Sequence, residues 1–277
     1  MRLLHATLAT TLVGSAHAHA AATRAVRPYS TRRPDRHSAA AAAANPSSRQ
    51  PHAAPALVQR LARLASSSDI DAAQREMDLL EPASLALQLP HDWERRSISG
   101  RPPVSYVHVF GDDATFSMGI FLLPAGAIIP LHDHPGMTVL SKVLVGSLRA
   151  TSFDMPEGAP GVNSSAPHFY GMASWEPRSF VCGEPTERLI SEGSPTARLE
   201  PLRGNLHQFE ALNDTAVFDI LLPPYDDDRG RSCHYYQMQP LTSSVASSTQ
   251  YKLVEIPQPA DLHIISAPYH GPTPTSP

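Results

Sequence analysis

Apolar residues change their spacing along the chain, and each spacing predicts a different element. Between residues 56 and 82, "ALVQRLARLASSSDIDAAQREMDLLEP" sets Leu57, Leu61 and Leu64, then Ile70, Met77 and Leu80, at helical intervals. Ser68 or Asp69 can cap the second helix, and Pro82 follows its end. From about residue 103 the period shortens to two, or the apolar runs become continuous: "VSYVHVF", "FSMGIFLL", "TVLSKVLVGSLRATSF", "RGNLHQFEAL", "AVFDILL" and "YKLVEI". Turn chemistry separates these runs at Gly111-Asp112-Asp113, Pro124-Ala125-Gly126, Pro135-Gly136, Asn213-Asp214 and Pro223-Pro224. Many short strands at such spacing predict a mainly β sandwich or barrel, with the two helices packed outside it. Residues 155–195 read as a loop insertion rich in Pro, Gly, Ser and Glu, and a tail begins near Pro268. The expected organisation is an extension over 1–55, a helical lead-in over 56–102, a β domain over 103–267 and a tail over 268–277.

Composition narrows the function classes. The first 55 residues are rich in Ala, Arg and Ser and have no acid before Asp35, so they cannot bury a core. Three readings of this extension stay open: an organelle transit peptide, a secretory signal cleaved near "AHA", and an untargeted disordered segment. A net charge of −4 gives no basic excess for nucleic acid. No apolar run reaches the roughly 20 residues of a membrane span. Cys182 and Cys233 are the only cysteines, too few for a disulfide framework and consistent with a reducing compartment. A monomer is expected, because no long apolar edge is evident.

Histidine is the outlier, with 14 copies. His5, His17, His19, His37 and His52 lie in the low-complexity start, leaving His132 and His134 as the informative pair. In a strand, residues i and i+2 share a face, so both imidazoles can aim into a barrel with Asp133 aimed away and Pro135-Gly136 ending the element. Such a pair also arises by chance in a His-rich chain. Gly126, His132 and His134 form G-x5-H-x-H, Gly146 follows, and "GNLHQF" sets Gly204 three residues before His207. These spacings resemble the two motifs of the cupin family, which implies a double-stranded β-helix (jelly-roll barrel). Most cupins carry a glutamate four or five residues after the second His; here those places hold Thr138 and Val139. The resemblance therefore implies three histidine ligands and no carboxylate: His132, His134 and His207. Neutral imidazoles suit a first-row divalent metal and leave its charge uncompensated, so a thiolate is the anion best placed to neutralise it.

"IPLHDHPGM" and "DILLPPYDDDRGRSCHYY" together resemble the thiol dioxygenases comprising 2-aminoethanethiol (cysteamine) dioxygenases and plant cysteine oxidases. The likeness runs from about Pro103 to "VEIPQPADL", with 155–195 unmatched in detail. It implies Fe(II), O2, and oxidation of cysteamine or an N-terminal cysteine to the sulfinic acid, with a role in oxygen sensing where the substrate is a protein. It implies work in the cytosol or nucleus, unless residues 1–50 redirect the chain to a mitochondrion or plastid. His132, His134 and His207 match the iron ligands of that family, and Asp219 matches an acid near the metal. Tyr225 follows two stiffening prolines and is expected over the pocket mouth. Cys233 and Tyr235 match a position where cysteine is joined to tyrosine by a thioether, and a free buried cysteine is the alternative. His234 is expected to be structural and His108 a core or sheet-face residue. His168, His263 and His270 are expected outside the metal site, and Cys182 has no assigned role. An α-amino group, with a pKa of about 7.7–8.0 against about 10.4 for lysine, supplies a neutral amine at modest cost. Free cysteine would call for an arginine on its carboxylate, for which Arg149 and Arg203 are candidates. Two other functions remain open: a cupin oxygenase or isomerase of different chemistry, and a non-catalytic metal- or sugar-binding module.

Overall fold

A computed structural model describes residues 54–90, 100–112, 114–156, 158, 177–241 and 249–275. Most of the N-terminal extension and His168 lie outside the described residues. Helix α1 (Ala54–Ser66) buries Leu57, Val58, Leu61, Ala62 and Ala65, the stripe its spacing predicts. Helix α2 (Ile70–Met77) starts at Asp69, whose side chain accepts a hydrogen bond from the Ala72 amide. Of the two candidate caps, Asp69 is the one used.

Thirteen strands follow: β1 (Val104–Gly111), β2 (Ser117–Leu123), β3 (Ile128–His132), β4 (Thr138–Val145), β5 (Ser147–Phe153), β6 (Ser179–Cys182), β7 (Thr186–Ser191), β8 (Ala197–Leu199), β9 (Leu206–Ala211), β10 (Thr215–Leu222), β11 (Tyr235–Leu241), β12 (Gln250–Ile256) and β13 (Ile264–Ala267). They form a six-stranded sheet, β13-β1-β2-β10-β4-β8, and a seven-stranded sheet, β6-β12-β11-β3-β9-β5-β7. The two sheets face each other as the expected β barrel of the jelly-roll type.

Strand β10 shows why some runs are continuously apolar. It lies between β2 and β4, and every residue in it is buried. Ala216, Phe218, Ile220 and Leu222 join the layer that packs against α1 and α2, so this face of the sheet is covered by helix. Val217 and Leu221 point the other way, into apolar clusters inside the barrel. A strand covered on both faces loses its alternation. The turn from β4 to β5 depends on Gly146, which has φ +79° and no room for a side chain: a Cβ there would lie 2.6 Å from the Asn213 Oδ1.

Residues 155–195 are not all loop, because β6 and β7 lie within them. Strand β7 is exposed on both faces apart from Ile190, so it carries no alternation to read. Cys182 is thereby a buried strand residue, its thiol donating to the Asp154 carbonyl. The C-terminal residues also do not trail free up to Thr275, whose amide donates to Gln59 of α1.

Candidate metal centre

His132 is the last residue of β3, and His207 lies opposite it on β9. His134 is not on the strand. It opens a turn closed by the Met137 amide on the His134 carbonyl, so the two imidazoles converge through a turn and not through a shared strand face. Asn205 fixes that turn: its Oδ1 accepts from the His134 amide at 2.9 Å and its Nδ2 donates to the His134 carbonyl at 2.8 Å. This fully buried side chain ties the His134 turn to the segment that carries His207. Sequence reading missed it, although it sits inside the "GNLHQF" motif.

The three ring nitrogens meet at one place. His207 Nε2 lies 3.0 Å from His134 Nε2 and 3.1 Å from His132 Nε2. His132 Nδ1 faces the Pro130 carbonyl at 2.8 Å, which only accepts, so Nδ1 carries the hydrogen and Nε2 a lone pair. The Tyr225 hydroxyl donates to the Asp133 carbonyl and lies 2.7 Å from His134 Nδ1, so Nδ1 donates to Tyr225 and His134 Nε2 is also a lone pair. Burial lowers the pKa of His132, and lowers those of His134 and His207 well below the usual value; the neighbouring imidazoles add to it for His134 and His207. The rings are neutral, and their three Nε2 atoms meet at one point where a cation could be held. Among the described residues this is the group of side chains that could hold a metal ion.

Asp133 points away from that centre, as expected, but into a buried network. Its carboxylate accepts from the His234 amide at 2.8 Å, from His234 Nδ1 at 3.1 Å and from the Tyr236 hydroxyl at 2.8 Å. The Asp133 amide donates to the His234 carbonyl. Behind it, Arg178 pairs with Glu255 at 2.8 Å; burial pushes the Glu255 carboxyl up, and the guanidinium outweighs it and holds the pKa below the usual range. This clamp seats the segment Cys233–Tyr236 against the metal turn. Tyr235 is in register with His132, their rings 6.3 Å apart. Cys233 lies between Tyr225 and Tyr235, and burial pushes its thiol up to about 12, with the Asp133 charge adding to the rise and both tyrosines opposing it. The Tyr225 ring stacks on His134 at 5.2 Å. His234 is structural, His108 is exposed on a sheet face, and His263 and His270 lie outside the trio.

Asp219 sits inside the barrel on β10, 5 % exposed, and its Oδ1 has no hydrogen-bond partner. Burial raises its carboxyl pKa to about 7, opposed by the nearby Ser141 hydroxyl. That hydroxyl is close enough to act electrostatically but is not in hydrogen-bonding geometry, since Ser141 Oγ is itself unpartnered. Arg149 is engaged on the surface with Glu210 at 2.9 Å, so it forms no clamp within the barrel.

The family model PCO_ADO matches residues 65–273, most of the chain and the whole of this centre. The chain belongs to the PCO_ADO family. It is 40 % identical over 185 residues to the human protein named 2-aminoethanethiol dioxygenase, covering 62 % of this chain and 68 % of that one. It is 30 % identical over 220 residues to plant cysteine oxidase 2 of Arabidopsis thaliana, covering 75 % of each. A solved RmlC-like cupin from Desulfovibrio desulfuricans shares 14 % identity at a TM-score of 0.29, covering 50 % of this chain and 98 % of that one. Family membership makes the chain an oxidoreductase of the thiol dioxygenase type, and the three histidines form a group that could hold a metal ion. No helix among the described residues is long and apolar enough to cross a membrane.

Proposed function

We propose that this chain uses Fe(II) and O2 to convert a thiol with a neighbouring primary amine, cysteamine or an N-terminal cysteine, into its sulfinic acid. The observation that carries the reading is the convergence of three imidazole Nε2 atoms in a barrel whose strand β10 holds Asp219, buried with its Oδ1 unpartnered. The reaction is R–SH + O2 → R–SO2H: sulfur gives up four electrons, O2 takes them, and both oxygens end on sulfur, so no external reductant is needed. Ferrous iron, when bound, supplies the centre at which thiolate and O2 meet. His132, His134 and His207 hold it. Tyr225 and the Pro130 carbonyl keep the His134 and His132 rings in the tautomer that offers Nε2. Asp219 accepts a hydrogen bond from the substrate amine. The family resemblance implies a thioether between Cys233 and Tyr235, formed as Cys–SH + Tyr–H + O2 → Cys–S–Tyr + H2O2, and Cys233 near Tyr235 supports that reading. An intact mass equal to the unmodified chain, in active iron-loaded protein, rules that bond out.

Substrate choice follows from the same chemistry. An N-terminal cysteine or cysteamine presents amine and thiol together, as internal cysteines do not. Where the substrate is a protein N-terminus, sulfination makes the chain an oxygen sensor, working in the cytosol or nucleus. The test offers anaerobically iron-loaded protein cysteamine, cysteine and a Cys-starting peptide under oxygen, and reads sulfinic products by mass. Sulfinate from cysteamine or the peptide supports the reading; disulfide alone from all three overturns it.

A further inference from the structure

We propose that Tyr106 and Ser141 join Asp219 in a receptor for the substrate's primary amine, and that Gly119 is the space that lets the tyrosine reach it. The inference rests on the thiol-oxidising reading above and extends it to the residues that select the substrate.

The sheet register sets the geometry. On β10, Asp219 stands opposite Gly119 of β2 on one side and Ser141 of β4 on the other. Residues directly opposite in a ladder point to the same face. The Asp219 side chain is therefore flanked by one hydroxyl and by one position with no side chain. Tyr106 of β1 occupies that position: a Cβ on Gly119 would lie 2.6 Å from the Tyr106 Oη and would collide with the ring. The phenol tip thus rests beside the carboxylate. Its ring packs on Phe121 at 5.0 Å, which holds it there. Burial and the Asp219 charge push its pKa up to about 12, so it keeps its proton.

The rung on which these groups sit faces the histidines. One step along the barrel, Val217 and Val143 pack with Ile129 and Phe209 in an apolar layer. The other way, Leu221 and Val139 pack with Met137 and Tyr225, and Tyr225 touches His134. Asp219 and Ser141 lie between these layers, as His207 lies two residues from Phe209 on β9.

A primary amine has two N–H donors, and three when protonated. Asp219 Oδ1, Ser141 Oγ and Tyr106 Oη are three acceptors around one spot, and the first two are buried without a partner. A thiol lacking an amine leaves them unsatisfied, which is how a polar pocket rejects an analogue.

The test loads wild-type protein, Tyr106→Phe, Ser141→Ala and Gly119→Ala with iron under argon. Calorimetry measures binding of cysteamine and of 2-mercaptoethanol, and O2 is then admitted and sulfinate counted. Tyr106→Phe and Ser141→Ala should each weaken cysteamine binding roughly tenfold, with a matching rise in KM and a smaller change in kcat. Gly119→Ala, which displaces the ring, should do at least as much. The preference for cysteamine over 2-mercaptoethanol should fall by the same factor. Tyr106→Phe keeps the ring and its packing, so it guards against a variant that fails to fold. An unchanged preference in Tyr106→Phe and Ser141→Ala overturns the proposal. A wild type that makes no sulfinate overturns the thiol-oxidising reading instead, and the calorimetric preference still decides the amine receptor.

Discussion

Two aspartates are buried within this barrel, and the fold treats them in opposite ways. Asp133 is 2 % exposed, and its carboxylate is hydrogen-bonded by the His234 amide, the His234 ring and the Tyr236 hydroxyl. Asp219 is 5 % exposed, its Oδ1 accepts nothing, and burial raises its pKa to about 7. A buried carboxylate with every oxygen occupied is scaffold, because a ligand would have to break bonds already made. A buried carboxylate left open has capacity for a group that arrives later. The first holds the His132–His134 turn in place, and the second is the group proposed above to receive the substrate amine. Changes at each residue should separate the two roles.

The largest effect is expected at the centre itself. His207→Ala should lower metal affinity by more than about 100-fold and abolish sulfinate, measured by elemental analysis and product mass. Next is Asp133→Ala, which strands two His234 donors and the Tyr236 hydroxyl in a buried place. It should cost about 3 kcal/mol of stability in denaturant unfolding and loosen metal binding as well. Asn205→Leu should leave more stability but weaken metal affinity by about 10- to 100-fold, because it frees the His134 turn.

Asp219→Asn should behave in the opposite sense to Asp133→Ala. The Asp219 pKa rises on folding from 3.8 to about 7. Between those values the folded chain keeps a proton that the unfolded chain has lost. The stability linked to that proton is complete below the lower value and is lost as pH rises through the upper one. The Asn variant lacks that loss, so in metal-free protein above the window it should melt roughly 2–4 °C higher than wild type, with the gain shrinking toward acid. Its sulfinate formation should nonetheless fall. The smallest effect is expected for Tyr225→Phe, which removes the acceptor of the His134 Nδ1 hydrogen and the donor to the Asp133 carbonyl and should lower metal affinity by about tenfold. An Asp219→Asn variant that is less stable at all pH values, or an Asp133→Ala variant as stable as wild type, breaks the contrast.

The sequence exposed the parts of this centre that repeat a spacing. His132, His134 and His207 were legible because glycines at fixed distances bracket them. Asp219 stood out as one acid in an apolar run, the sign of a strand covered on both faces. What was hidden depends on partners far away in the chain. Asp133 read as an outward acid, because its partners His234 and Tyr236 lie about a hundred residues on. Asn205 acts only through the His134 backbone, and no local pattern marks such a contact. Gly119 reads as a weak point in a strand until the register sets it under Tyr106. Strand β7 is polar on both faces, so only its pairing with β5 reveals it.

The central claim is that three histidines hold a metal at which both atoms of O2 are placed on a thiol sulfur. The most direct measurement gives iron-loaded protein cysteamine under isotopically heavy O2 and weighs the product, with His207→Ala run alongside. The account predicts a sulfinic acid carrying two heavy oxygens from wild type and none from the variant. Sulfinate with oxygen drawn from water, or equal yield from His207→Ala, would contradict it.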